Sequence, residues 1–292
     1  MTAARTADPD ACFERERPRL IGLAYRITGS RTVAEDLVQE AWPRWHAADH
    51  GAIARPAAWL TTVVSRLALD HLRSAAHQRE AYVGPWLPEP VAAEPDPAAQ
   101  AELAESLTIG FLAVLERLGP TERVVFLLAD VFGVPFDEIA EAVGKAPAAC
   151  RQIASRARAR VREGRPRFQP TDDQAWQVAV AFLTAAQVGD LDGLVSLLAE
   201  GALAISDGGP DHHAARRPVV AARIPRFVAN LAARLPADAA IELRAINGEP
   251  GIVVREHGRI TTAMAFAVAH GQVERIWTIR NPEKLRALSI AP

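Results

Sequence analysis

Five prolines between Gly84 and Ala99 (GPWLPEPVAAEPDPAA) forbid a single continuous helical body for this chain. Proline lacks the amide hydrogen and fixes φ, so the stretch reads as a semi-extended linker between segments that fold separately. A second basic, proline-containing link, GRPRFQPTDD at 164–173, divides the chain again. Three blocks result, and 292 residues suffice for each to bury a core.

The first block, 11–80, reads as helices throughout. Leu20, Leu23, Ala24 and Ile27 recur at helical spacing, as do Ala34, Leu37, Val38, Ala41 and Trp45. A third helix opens with Pro56 and keeps Leu60, Val63, Val64 and Leu67 on one face. Helical periodicity returns over 101–164. The last block changes class. Helices are predicted at 173–188, 190–199 and 218–234, then strands AAIELRAI, GIVVRE, ITTAMAFAV and QVERIWTI, with Gly258 and Gly271 at hairpin turns. Helices followed by an antiparallel sheet imply a small α+β domain.

Composition excludes several function classes. No apolar run approaches the roughly 20 residues that cross a bilayer, and the N-terminal residues lack an apolar signal core, so a cytoplasmic protein with no membrane partner is expected. Cys12 and Cys150 build neither a disulfide framework nor a zinc site; no metal or cofactor is expected, and both thiols read as buried small apolar groups.

The net charge of −2 hides a local asymmetry. From Ala146 to Phe168 stand Arg151, Arg156, Arg158, Arg160, Arg162, Arg165 and Arg167 against one acid, Glu163. That stripe lies in PFDEIAEAVGKAPAACRQIASRARARVRE. A short helix (136–143) turns Ile139, Ala140 and Val143 inward, Gly144 ends it left-handed, and Pro147 begins the next. The turn between them matches a helix-turn-helix. On the second helix Cys150, Ile153, Ala154, Ala157 and Val161 form an apolar stripe. Arg151, Gln152, Ser155, Arg156 and Arg158 lie outside it, as base edges and phosphates require of a recognition helix. An arginine-rich solvated helix is the plainer alternative.

Together the first two blocks resemble an extracytoplasmic-function sigma factor of bacterial RNA polymerase. EDLVQEAWPRW (35–45) is similar to the segment those proteins dock on the clamp helices of core polymerase, which implies contact through Asp36, Gln39, Glu40 and Trp42. Acids and an aromatic anchor suit such a surface, although Trp42 can equally fill the bundle, and Trp45 reads as core. PAAWLTTVVSRLALDHLRSA (56–75) resembles the helix lying along the melted minus-ten element. The loop ADHGAIARP (48–56) then supplies the pocket for an unpaired base, with His50, Arg55, Trp59 and Arg66 facing DNA. Many relatives have Arg-Asn where this chain has Ser65-Arg66. LGPTERVVFLLADVFGVPFDEIAEAVG resembles the domain reading the minus-thirty-five element.

Three further motifs resemble the sigma subgroup with a C-terminal SnoaL-like extension: WLPEP (86–90), SDGG (206–209, followed here by Pro210-Asp211), and NPEKL (281–285, with Glu283 for Asp). The resemblance covers residues 11–286. It implies a mainly α fold with two helical sigma domains, 11–80 and the helix-turn-helix domain 101–165, joined by the linker 81–100 and followed by an α+β SnoaL-like cone at 172–286. It also implies promoter DNA and core polymerase as partners, with activity controlled in cis and no separate anti-sigma protein. The control contact would join Trp86, Leu87, Pro88, Glu89 and Pro90 to Asp207, Gly208, Asn281, Pro282, Lys284 and Leu285. A small apolar ligand in the cone is a further partner the fold admits.

The cone fold also hosts enzymes, but fold does not confer chemistry. Asp207, His212, His213, His257 and His270 are the available groups, both tyrosines lie outside the block, and no catalytic set is expected. Two competing readings are a helix-turn-helix operator-binding regulator and a DNA-binding module fused to a SnoaL-type enzyme. The first leaves the clamp-like and melting-helix segments unexplained.

Overall fold

The computed structural model of the chain describes residues 8–80, 82, 84–92, 108–164, 173–210 and 214–289. They fall into two compact units, Met1–Glu80 with Leu115–Gly164, and Ala81–Val114 with Arg165–Pro292. The division runs through the expected 101–165 block instead of before it. The reason is burial: Ile109 is fully enclosed in the core of the second unit, together with Leu87, Trp277 and Leu285.

The first unit is helical: α1 (Pro9–Thr28), α2 (Arg31–His46), α3 (Pro56–Glu80), then α5 (Pro120–Phe126), a π-helical turn (Leu127–Val131), α6 (Phe136–Val143) and α7 (Pro147–Gly164). Between α3 and α5 in chain order comes α4 (Ile109–Leu115), most of which belongs to the second unit. The boundary between α1 and α2 is chemical. Gly29 adopts φ 73° and donates to Tyr25 O, and the Ser30 hydroxyl accepts from Val33 N at 3.1 Å. Leu20, Leu23, Ile27, Val38, Trp45, Leu60 and Val64 fill the core. Trp45 is 2% exposed and donates to Pro9 O at 2.9 Å, so it is core as expected. Both cysteines are buried and free.

The second unit is a curved sheet covered on both faces. Its elements are α8 (Asp173–Val188), α9 (Leu191–Leu197), β1 (Leu198–Asp207), β2 (Val219–Val220), a 3-10 turn (Ala221–Arg223), α10 (Ile224–Ala232), β3 (Ala240–Leu243), β4 (Gly251–Glu256), β5 (Arg259–Ala269), β6 (Gln272–Ile279) and α11 (Pro282–Ser289). The strand order is β2-β1-β6-β5-β4-β3. One face packs on α8, α9 and α10 through Phe182, Leu194, Ile224, Val228, Phe266 and Ile276. The other packs on the linker, α4 and α11 through Leu87, Ile109, Leu285 and Leu288.

Several expectations need correction. The sheet is mixed, not antiparallel, because β1 pairs with β6 in parallel. β1 itself was expected to be helix up to 199, with no strand before residue 239. Its inward residues are small (Ala202, Ala204, Ser206), so alternation there is weak as a hydrophobic signal. Likewise 218–234 is strand, 3-10 turn and helix in succession, and AAIELRAI is strand only over Ala240–Leu243. The hairpin turns fall where expected: His257-Gly258 and His270-Gly271 all have φ of 50–75°, the backbone of type I′ turns. Asn247-Gly248 adds a third pair, with φ of 53° and 78°. Among the described residues no helix is long and apolar enough to cross a membrane.

Candidate nucleic-acid interface and linker-docking site

The helix-turn-helix forms as its sequence dictates. Gly144 ends α6 at φ 67°, donating to Ala140 O, and Pro147 opens α7. Cys150, Ile153, Ala154, Ala157 and Val161 are buried, and burial raises the Cys150 thiol pKa. Arg151, Gln152, Ser155 and Arg156 are exposed. Arg151 places its guanidinium 5.6 Å from the centre of the Phe136 ring. Arg158 is turned back onto Asp130 (2.7 Å) and Arg160 onto Glu122 (2.5 Å), whereas Arg156 is exposed with no hydrogen-bond or ion-pair partner among the described residues. Arg165 and Arg167 lie outside the described residues.

The second candidate surface belongs to α3 and the loop before it. Ile53, Arg55, Ala58, Trp59 and Thr62 line a cavity of about 440 Å³ whose far wall is Glu138 and Glu141 of α6. That volume is within the range of small-molecule pockets, roughly 300–1,000 Å³. Trp59 rests against Trp45 (centroids 5.5 Å apart). His50 is not in the wall; it sits edge-on to Trp45 at 4.4 Å with Nδ1 buried. Arg55 is ion-paired with Glu138. Arg66 donates to Glu141 O at 2.8 Å and lies 3.5 Å from its carboxylate.

On α2, Asp36, Gln39 and Glu40 share one exposed face, as residues three and four apart must. Glu40 pairs with Arg44 at 2.7 Å. Trp42 stands apart from that face, half-buried, with its ring edge-on to Phe13 at 4.7 Å and stacked near His46 at 6.0 Å.

In the second unit the three dispersed motifs converge on one buried carboxylate. Asp207, the last residue of β1, has a side chain 0% exposed. Its Oδ2 accepts from Lys284 Nζ (2.6 Å) and from Leu87 N (2.8 Å); its Oδ1 accepts from Gly209 N (3.0 Å) and from the Tyr82 hydroxyl. Lys284 also donates to Leu87 O at 2.5 Å and lies 3.9 Å from the centre of the Trp86 ring. Thus Asp207 and Lys284 together satisfy both backbone groups of Leu87, whose side chain is 1% exposed. Asn281 donates to the Tyr82 hydroxyl (3.1 Å) and its side chain packs where a Cβ on Gly209 (φ 68°) would stand. Burial, then the Asp207 hydrogen bond, pushes the Tyr82 hydroxyl pKa well up. Pro88, Glu89, Pro90, Gly208 and Leu285 are buried, whereas Pro282 is exposed at the start of α11.

A second anchor lies in the turn between β3 and β4. Asn247 exchanges two hydrogen bonds with Val91, N to O at 2.8 Å and side-chain oxygen from N at 2.9 Å, and Ala92 bridges Ile246. Glu249 Oε2 accepts from Ile109 N at 3.1 Å, while its Oε1 is buried without a hydrogen-bond partner among the described residues. Burial pushes this carboxyl up to about 8. One turn therefore holds both sides of the 93–107 segment.

Tyr82, Asn247 and Glu249 escaped the sequence reading. Tyr82 stands outside the C-terminal block, and an Asn-Gly pair marks a tight turn without marking what that turn contacts. His257 pairs with Asp238 at 2.8 Å in its exposed turn, His270 is exposed, and His212 and His213 lie outside the described residues.

Comparison with known proteins bears on the family of the chain. Residues 12–78 match the Sigma-70 region 2 family and residues 110–161 the Sigma-70, region 4 family. The chain is 43% identical over 286 residues to the ECF RNA polymerase sigma factor SigJ of Mycobacterium tuberculosis, covering 93% of this chain and 91% of that protein. It is 33% identical over 292 residues to the probable ECF RNA polymerase sigma factor SigI of the same species, covering 96% of each. The crystal structure of M. tuberculosis SigJ superposes with a TM-score of 0.76 at 38% identity, covering 95% of this chain and 98% of that one. With two helical sigma regions and a SnoaL-like sheet domain behind them, the chain belongs to the extracytoplasmic-function RNA polymerase sigma factors, which direct polymerase to promoters for transcription initiation.

Proposed function

We propose that this sigma factor is controlled in cis by its C-terminal domain, through the seating of the linker on Asp207 and Lys284. The observation that carries the reading is the pairing of both Leu87 backbone groups by those two side chains. The linker joins the two sigma regions, so a domain that fixes it biases how they can be spaced on DNA, a two-state element of the kind regulation needs. Such control requires no separate anti-sigma protein.

In this reading Arg151, Gln152, Ser155 and Arg156 read the minus-thirty-five element, with Arg158 supporting them from its Asp130 pair. Arg55, Trp59 and Arg66 serve the melted minus-ten strand at the α3 cavity, with His50 buttressing Trp45 behind it. Asp36, Gln39 and Glu40 meet the clamp helices, and Trp42 stiffens that face from its margin. The apolar packing of Phe182, Leu194 and Phe266 between one face of the sheet and its covering helices favours a structural role for the cone over catalysis.

The test is run-off transcription with bacterial core polymerase on a genomic template pool, comparing the chain with Lys284→Glu and, as a milder change, Trp86→Ala. Promoter-dependent transcripts whose yield or selectivity differs between variants and parent are the expected result. Equal transcription from all three, with intact folding by circular dichroism, would remove the control contact while leaving the sigma activity.

A further inference from the structure

Residues 212–237 hold five arginines and no acid, in a chain whose 35 acids outnumber its 33 lysines and arginines. The segment includes α10, and its geometry sorts these charges. Ile224 and Val228 are buried against α8 and α9. Arg223, Arg226, Asn230 and Arg234 follow one another at spacings of three and four residues and are all exposed, so they form one stripe on the outer face. Arg216 and Arg217, just before β2, are exposed as well.

No guanidinium of the stripe has a hydrogen-bond or ion-pair partner among the described residues. Two other arginines of the unit are engaged: Arg255 pairs with Glu242 at 2.6 Å, and Arg275 donates to Gly201 O at 3.2 Å. α9, which packs on α10, carries acids at its start. Asp190 is used as that helix's own cap, accepting from Gly193 N at 2.9 Å, and Asp192 forms no ion pair with the stripe. A face serving solubility alone intersperses both signs. This one carries a single sign, unpaired among the described residues.

We propose that Arg223, Arg226 and Arg234 form a phosphate-binding stripe through which the C-terminal domain grips duplex DNA beside the promoter elements read by the sigma regions. The proposal is independent of linker control and rests only on the stripe and on the family's work on DNA. α10 rises about 13 Å over Ile224–Ala232, with Arg223 just before it and Arg234 just after, long enough to meet several charges of a duplex that carries one per roughly 1.7 Å of axis. An anionic membrane is the competing polyanion. Interfacial helices need an outward apolar face, and the apolar residues of α10 point into the core.

The experiment is fluorescence anisotropy of the full chain on a labelled mixed-sequence duplex, from about 50 to 200 mM salt. The parent is compared with the triple variant Arg223→Gln/Arg226→Gln/Arg234→Gln and with the corresponding triple lysine variant. The glutamine variant should lose about 2–3 units of the log Kd against log salt slope and bind about tenfold more weakly at the lower salt, since each phosphate contact contributes about 0.9. The lysine variant should keep the parent slope. An unchanged slope in the glutamine variant would overturn the proposal. So would an unchanged slope accompanied by lost binding to phosphatidylserine vesicles, which would assign the stripe to lipid.

Discussion

Lys284 Nζ lies 2.6 Å from Asp207 Oδ2, with side-chain exposures of 9% and 0%. A pair so enclosed is weak evidence for net stability, but removing one member strands the other's charge in a low-dielectric site, at a cost of about 3–5 kcal/mol. Lys284→Ala and Asp207→Ala are each expected to destabilise the second unit by about that much in equilibrium urea denaturation. The double variant should lose markedly less than the sum, because neither charge is then left alone. Additive losses would mean that the two side chains act independently.

Glu249 sets a pH dependence on the same docking. Burial raises its carboxyl from 4.5 to about 8 in the folded chain. The stabilising difference is therefore complete below about 4.5 and lost as pH rises through about 8, since unfolding releases a proton in that window. Stability should fall by about 1.4 kcal/mol per pH unit near neutrality from this one group. Glu249→Gln keeps the acceptor for Ile109 N and removes the proton, so the slope should flatten. A slope that survives the substitution would assign the pH dependence elsewhere.

Unequal legibility of the sequence has physical causes. The helices of the first unit and the helix-turn-helix could be read because long apolar stripes at helical spacing, Gly144 and Pro147 act locally. β1 was missed because its inward positions are alanine and serine, and its partner β6 is some seventy residues away in a parallel register that no turn announces. The docking motifs were found through family resemblance. The resemblance implied a contact among them, but that Asp207 is the carboxylate shared by Tyr82, Leu87 and Lys284 was not readable, because that convergence is a property of the sheet and its covering layers. Tyr82 and Glu249 were missed for the same reason: nothing beside them in sequence marks them as partners of distant backbone.

The pairing of Arg55 and Arg66 with Glu138 and Glu141 yields a third prediction. The arginines expected to face the melted strand are engaged by carboxylates of α6, which would compete with phosphate for the same guanidinium groups. Exposed pairs of this kind contribute at most about 1 kcal/mol each, so Glu138→Gln/Glu141→Gln should leave the fold intact. It should also tighten binding of a labelled mixed-sequence single strand, with a salt slope steeper by up to about 0.7 per arginine released. Unchanged affinity and slope would show that these pairs do not compete with DNA.

On the recognition helix the structure separates two arginines that sequence alone left equivalent. Arg156 is exposed with no partner among the described residues, whereas Arg158 is held by Asp130 at 2.7 Å. A guanidinium already satisfied by a carboxylate must give up that bond to reach a base, so its net contribution to specificity is smaller. Arg156→Ala should weaken binding to a duplex carrying the promoter found by run-off transcription by about 1–3 kcal/mol, and weaken random duplex less. Arg158→Ala should cost less on the promoter and lower both duplexes about equally. If the two variants change places in a side-by-side anisotropy titration, Asp130 positions Arg158 for the base, and Arg156 is the phosphate contact.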